Sequence, residues 1–146
     1  MKPDWILIAN ATHARLLEQE RGSPMVILES FAHPSSREKI SALATDRAGH
    51  ESTDRSYGGA VFEPRHDAKS KEHTLFARQL ADQLEKAATQ GKCRSLVIFA
   101  SSPFLGQLKA ELGAATKRLL STTHDLDLTS FGLSELELRI GRVLAP

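Results

Sequence analysis

Cysteine is almost missing from this 146-residue sequence, and the single Cys93 excludes an intrachain disulfide framework and suits a reducing compartment. Long apolar runs are missing as well. No stretch approaches the roughly 20 apolar residues needed to span a bilayer, so no membrane partner is expected. The opening MKPDWILIAN has one lysine and an apolar run too short for a signal peptide, so the expected location is cytoplasmic. Neither sign of charge dominates: nineteen basic residues stand against eighteen acidic ones. Nothing global therefore points to nucleic acid or membrane, and any electrostatic recognition has to be local. The sequence also lacks a phosphate-loop Gly-Lys-Ser/Thr, a Gly-x-Ser-x-Gly elbow and a His-Glu-x-x-His pair. Neither a cofactor nor a metal is expected, and a serine hydrolase reading is poor. Repeats and low-complexity tracts are absent too.

What is present reads as one α/β domain over residues 1–146, large enough for a core without staples. WILIA at 5–9 is a short continuous apolar run, predicting a strand buried on both faces. ARLLEQE at 14–20 and MVILESF at 25–31 flank a turn marked by Gly22 and Pro24, predicting an antiparallel hairpin. A short helix is expected over 34–44. In 67–90, Phe76, Ala77, Leu80, Ala81, Leu84, Ala87 and Ala88 recur at spacings of three and four, the pattern of an amphipathic helix, and Gly91 is a fitting stop. LVIFA at 96–100 predicts a buried strand, Ser101 and Ser102 look like caps of a helix over 104–112, and 118–122 reads as a last strand. SELE at 134–137 matches a capping box opening a final helix. The expected architecture is a mixed sheet of about five strands covered by helices, whose exposed edges would allow a homodimer.

One segment does not read as scaffold. Residues 45–65 form a polar, glycine-bearing stretch much longer than the usual connection of about 4 to 6 residues, which marks either function or mobility. Gly49, Gly58 and Gly59 leave backbone amides uncovered, with Arg47, Arg55 and Arg65 around them, a combination able to approach phosphates closely. Asp46, Glu51, Asp54 and Glu63 nearly cancel that charge, and a surface loop whose glycines only permit turns is the competing reading. His66 and His73 lie seven apart on the expected helix, hence on nearly one face; a solvated helical turn explains them as well as a ligand or proton-transfer role. Ser101 and Ser102 precede a helix and are anion-binding candidates, although capping alone accounts for them. Cys93 reads as a small structural thiol and Trp5 as core.

Several short segments in order resemble a known family. WILIAN at 5–10 followed by ARLLE at 14–18, then His33-Pro34, Asp46-Arg47-x-Gly49, Glu63-Pro64, SPFLGQL at 102–108, Asp125-Leu126 and Asp127-x-Thr129 look like the bacterial host attachment proteins, described as required for attachment to host cells. That family is similar to the middle domain of archaeal and eukaryotic peptide-chain release factors, an α/β domain with a mixed sheet. In those factors a Gly-Gly-Gln loop precedes a long helix and triggers peptidyl-tRNA hydrolysis. Here Gly58 and Gly59 occupy that order, with Ala60 where the glutamine would stand.

The resemblance implies an intracellular, non-catalytic domain that binds RNA or the ribosome through residues 45–73 and affects attachment indirectly. The candidate contacts read from the residues are Asp46, Arg47, Gly49, Arg55, Gly58, Gly59, Arg65, His66 and His73, of which the resemblance carries over only Gly58 and Gly59. Two rivals stand beside it: a surface or secreted attachment factor, and a small hydrolase of an RNA-linked ester or phosphodiester using His66, His73 or the loop acids as acid and base.

Overall fold

The computed structural model describes residues 2–33 and 58–145, and side chains from Ser70 onward in the first helix. The helix expected over 34–44 lies outside the described residues, as do residues 45–57.

Strands β1 (Asp4–Ala9), β2 (His13–Gln19) and β3 (Val26–Ala32) form an antiparallel meander, with Gly22 at φ +79° in the second turn. The long helix α1 (Gly58–Thr89) leads to β4 (Ser95–Ala100). The short helices α2 (Phe104–Glu111) and α3 (Ala114–Leu119) then lead to β5 (Leu120–His124), and α4 (Leu133–Leu144) closes the chain. The sheet order is β3-β2-β1-β4-β5, with β1, β4 and β5 parallel to one another. The mixed five-stranded sheet expected from the sequence is therefore the fold.

Strand alternation divides the core in two. Trp5, Leu7 and Ala9 of β1, with Leu96, Ile98 and Ala100 of β4, meet Phe76, Ala77, Leu80, Ala81, Leu84 and Ala87 of α1 and Phe104, Leu105 and Leu108 of α2. Ile6, Ile8, Val97 and Phe99 face the other way, onto Leu136 and Ile140 of α4 together with Leu17, Met25 and Leu128. That double coverage is why β1 and β4 are continuous apolar runs rather than alternating ones. The sheet steps from β1 to β4 to β5 in one direction, so crossovers of one hand put α1, α2 and α3 on the same face. Among the described residues nothing covers much of β3 at the far edge: Val26, Ile27 and Leu28 are 44%, 42% and 43% exposed.

Four sequence expectations shift. Helix α1 begins at Gly58, not at Asp67, so the loop expected over 45–65 ends earlier and the helix runs through Pro64. Proline's φ is already helical, but inside a helix it removes one ladder hydrogen bond and its ring crowds the carbonyl four residues earlier, which is why local pattern reads it as a boundary. The serines before α2 do not cap it with their side chains, and the N-cap position is Pro103. Ser134 lies inside α4, whose N-cap is Gly132, so no capping box forms; the Glu137 carboxylate instead accepts the Met25 amide at 3.0 Å. Finally, Arg118 and Leu119, expected at the start of the last strand, belong to α3.

The cause of α3 is a side chain from far away in sequence. Its own N-cap, Gly113, supplies no side chain, but the Glu85 carboxylate of α1 accepts the Ala115 amide at 3.2 Å, the Thr116 amide at 3.0 Å and the Thr116 hydroxyl at 2.8 Å. A Cβ on Gly113 would collide with the Glu85 carboxylate, so glycine is what lets this carboxylate approach. Helix α1 stops at Gly91, at φ +67°, the left-handed conformation in which glycine ends a helix without steric cost. Among the described residues no helix is long and apolar enough to cross a membrane.

Candidate functional site

Ligand sites in open α/β sheets lie beyond the carboxyl ends of the parallel strands, where successive chain segments diverge. Here those ends are Ala9, Ala100 and His124, and the turns that follow them carry a polar network. Directly after β1, the Asn10 side-chain oxygen accepts the Thr12 amide at 2.9 Å and the His13 amide at 2.8 Å, building the tight turn into β2. Its amide nitrogen reaches across the edge to Asp127 at 3.1 Å and Thr129 at 2.9 Å, in the segment between β5 and α4. Arg15 fixes the same segment from β2, donating to the carbonyls of Thr129 and Phe131 at 2.7 Å each. Burial raises the Asp127 pKa, but hydrogen bonds from Thr129 and Asn10, with a contribution from His13, outweigh it and hold the carboxyl below its ordinary value.

Beside this network, after β4, Ser102 gives both its amide (3.0 Å) and its hydroxyl (2.7 Å) to Asp125, which lowers the pKa of that carboxylate. The amide and hydroxyl of Ser102, one of the two anion-binding candidates, are thus engaged by Asp125. Ser101 contributes its carbonyl, which accepts the Leu105 amide in the first turn of α2.

A third group stands where β3 ends. His33 Nε2 lies 2.6 Å from the Glu72 carboxylate of α1, and the two side chains are only 13% and 9% exposed. The imidazole stacks on Phe76, with ring centroids 5.5 Å apart, and Phe76 stacks on Phe104 at 5.8 Å. The His33 amide donates to the Thr12 carbonyl, which ties this pair to the Asn10 turn. Local sequence pattern does not pair these residues. A signal was present: Glu72 sits one helical turn before Phe76 and so falls on the buried stripe, where an acid needs a partner.

The sequence candidates are distributed as follows. Asp46, Arg47, Gly49 and Arg55 lie outside the described residues. Gly58 and Gly59 form the first turn of α1 rather than the end of a loop, and Arg65 and His66 lie on the same helix. His73 is half-buried on α1, adjacent to Glu72, so the helix carries it toward the His33 end of the sheet. Ser102 pairs with Asp125 beside the separate network that Asn10, Asp127 and Thr129 form. Among the described residues no three histidines, cysteines or acids are grouped to hold a metal. Cys93 is buried, and burial pushes its thiol pKa up, which fits the structural reading and an unreactive sulfur.

The carboxylates give the fold a defined acid limb. Asp4, held low by Arg94, and Glu85, held low by the Thr116 amide and hydroxyl, join Asp125 and Asp127 below the ordinary values of 3.8 for Asp and 4.5 for Glu. Because the folded values are depressed, their stabilisation is complete above the ordinary values and is lost as pH falls through the folded ones. Urea midpoints measured from about pH 6 down to about pH 3 should therefore be flat at first and then fall. An Asp127→Asn variant should show a shallower decline; an unchanged slope would remove Asp127 from this account.

A mixed sheet with three helices on one face and one on the other, its polar turns gathered at the carboxyl edge, defines a release-factor-like α/β domain. The crystal structure of an archaeal translation termination factor has this fold, with a TM-score of 0.52 at 13% identity over 97% of this chain. The match covers 35% of that factor, so the chain spans about a third of its length. An uncharacterized protein of Rickettsia prowazekii (strain Madrid E) is 31% identical over 112 residues, 75% of this chain and 69% of the relative. Residues 5–140 match the family described as protein required for attachment to host cells. The chain belongs to that family, as the short motifs predicted.

Proposed function

We propose that this chain is a non-catalytic RNA-binding domain that engages the ribosome or another ribonucleoprotein through residues 45–73 and influences attachment from inside the cell. The observation that carries this reading is the position of Gly58 and Gly59 at the start of the 32-residue helix α1, within a fold shared with a translation termination factor. The first amides of a helix have no intrahelical acceptor, and glycines leave them open to a phosphate oxygen, which the helix dipole also favours. Arg47, Arg55 and Arg65 flank the pair in sequence and supply cationic contacts. Ala60 in the place of glutamine supports binding without peptide release.

Ribosome co-sedimentation from lysate, at low and raised salt, tests the reading. Phosphate contacts weaken steeply with salt, so co-sedimentation should be salt-sensitive and should fall when Arg47, Arg55 and Arg65 are all replaced by alanine or Gly58 and Gly59 are both replaced by alanine. Sedimentation at the top of the gradient in every condition would sink it. The family description favours a second reading, an attachment factor at the cell surface, which predicts the protein in the surface or extracellular fraction.

A further inference from the structure

The edge strand β3 stands out because only Phe31 of it packs against a core, while Val26, Ile27 and Leu28 are exposed. Beside it, on the α1 face, is an open cleft of about 190 Å³ with an apolar floor that includes Trp5, Leu16 and Leu84. Phe31 and Glu29 of β3 form one wall, and Lys86 and Lys92 stand on the opposite rim. Among the described residues β3 has β2 as its single strand neighbour, which leaves one row of its backbone amides and carbonyls facing outward. The strand is regular from Glu29 to Ala32, where it pairs with His13 to Leu16; the irregularity near Leu28 lies at one end of that half.

We propose that this edge takes a second copy of the same chain, β3 against β3, in an antiparallel register centred on Ser30. The chemistry of the strand selects both the occupant and the register. Centring on Glu29 would set two carboxylates directly opposite each other, a destabilising arrangement. Centring on Ser30 sets Glu29 opposite Phe31 of the second copy and Phe31 opposite its Glu29, with both residues on the α1 face. The incoming acid then joins a rim that carries Lys86 and Lys92, neither of which is ion-paired among the described residues. The exposed apolar flank at Leu28 meets Ala32 of the second copy. About five paired residues bury less than the roughly 1,200 Å² of a stable interface, so the association is weak and depends on concentration.

The register can be tested with thiols on the full-length chain. Directly opposed residues in an antiparallel pair have Cα atoms about 4.5 to 5.5 Å apart, within the range of about 4.4 to 6.8 Å that a disulfide requires. Residues offset by two lie about 7 to 8 Å apart, outside it. Ser30 and Glu29 are both exposed, so cysteine at either should leave the fold intact, and the native Cys93 is buried. Under mild oxidation Ser30→Cys should form covalent dimers at least about ten times faster than Glu29→Cys, because the register sets these distances. Sedimentation velocity of the unmodified chain should show a dimer fraction that grows with concentration, and Glu29→Lys should reduce it several-fold. Adding Lys86→Glu and Lys92→Glu to that variant should restore association. Equal cross-linking at both positions, failure of Ser30→Cys to cross-link, or a purely monomeric chain at every concentration would overturn the proposal.

Discussion

Replacing Phe76 by alanine is expected to lower the unfolding free energy by about 3 to 5 kcal/mol, the usual cost of deleting a buried phenyl ring. Phe76 is fully buried, and its ring lies between the imidazole of His33 and the ring of Phe104. It therefore joins the end of β3, the middle of α1 and the start of α2 in a single stack. Cavity formation, lost dispersion contacts and two lost ring interactions all act in the same direction. Domains of this size are usually stable by about 5 to 15 kcal/mol, so the variant should unfold at much lower urea, or be partly unfolded without it. Phe76→Leu, which fills part of the volume, should recover a substantial share of the loss. A loss under about 1 kcal/mol for the alanine variant would mean that the site collapses around the gap and that the stack is not a structural joint.

The second large effect concerns the polar pair above that stack. Glu72→Ala should cost about 2 to 3 kcal/mol, because it leaves a buried imidazole nitrogen without its acceptor. Glu72 is 7% exposed, and water has little access to replace the carboxylate. Single substitutions mix this loss with other contacts of each residue, so a double-mutant cycle with His33→Ala is the appropriate measurement. A coupling energy of about 1 kcal/mol or more is expected between two groups 2.6 Å apart in a site this dry. The variant His33→Phe separates the two roles of the histidine, since it keeps a ring on Phe76 and removes the hydrogen bond. It should resemble Glu72→Ala more than His33→Ala does. Coupling indistinguishable from zero would show that the pair is held by its surroundings and contributes nothing of its own.

Much of the scaffold was legible from local pattern. The runs at 5–9 and 96–100 have the continuous apolar character of strands covered on both faces, and both are central and parallel. The stripe from Phe76 to Ala87 is the buried face of α1, and Gly91 ends it. What could not be read was whatever depends on a partner distant in sequence. Ser134 and Glu137 have the spacing of a capping box, but Glu137 reaches the Met25 amide in the turn before β3. Helix α3 lacks a local signal because Glu85 supplies its cap. The start of α1 is hidden locally because Pro64 and the glycines at 58 and 59 carry the pattern of a loop.

The same division holds for the candidate site. Asn10, Ser102, Asp125, Asp127 and Thr129 were visible as parts of short motifs, and the fold gathers them at one sheet edge. Motif order alone did not give their pairings, since Asn10 and Thr129 are separated by 119 positions. His33 and Glu72 were the harder case, because the pair joins a strand end to a helix interior. Only the helical phase of Glu72 relative to Phe76 hinted that it faced inward.

The Glu85 cap has a consequence for the order of assembly. A six-residue helix is too short to persist by itself, because nucleating the first turn costs more than so few hydrogen bonds return. Its first turn is completed by an acceptor that arrives only when α1 is already in place. Helix α3 therefore has no independent history: it is templated by its predecessor, and β5, which follows it without a linker, inherits that dependence. A weakened α1 is therefore expected to loosen α3 and the β5 edge of the sheet together.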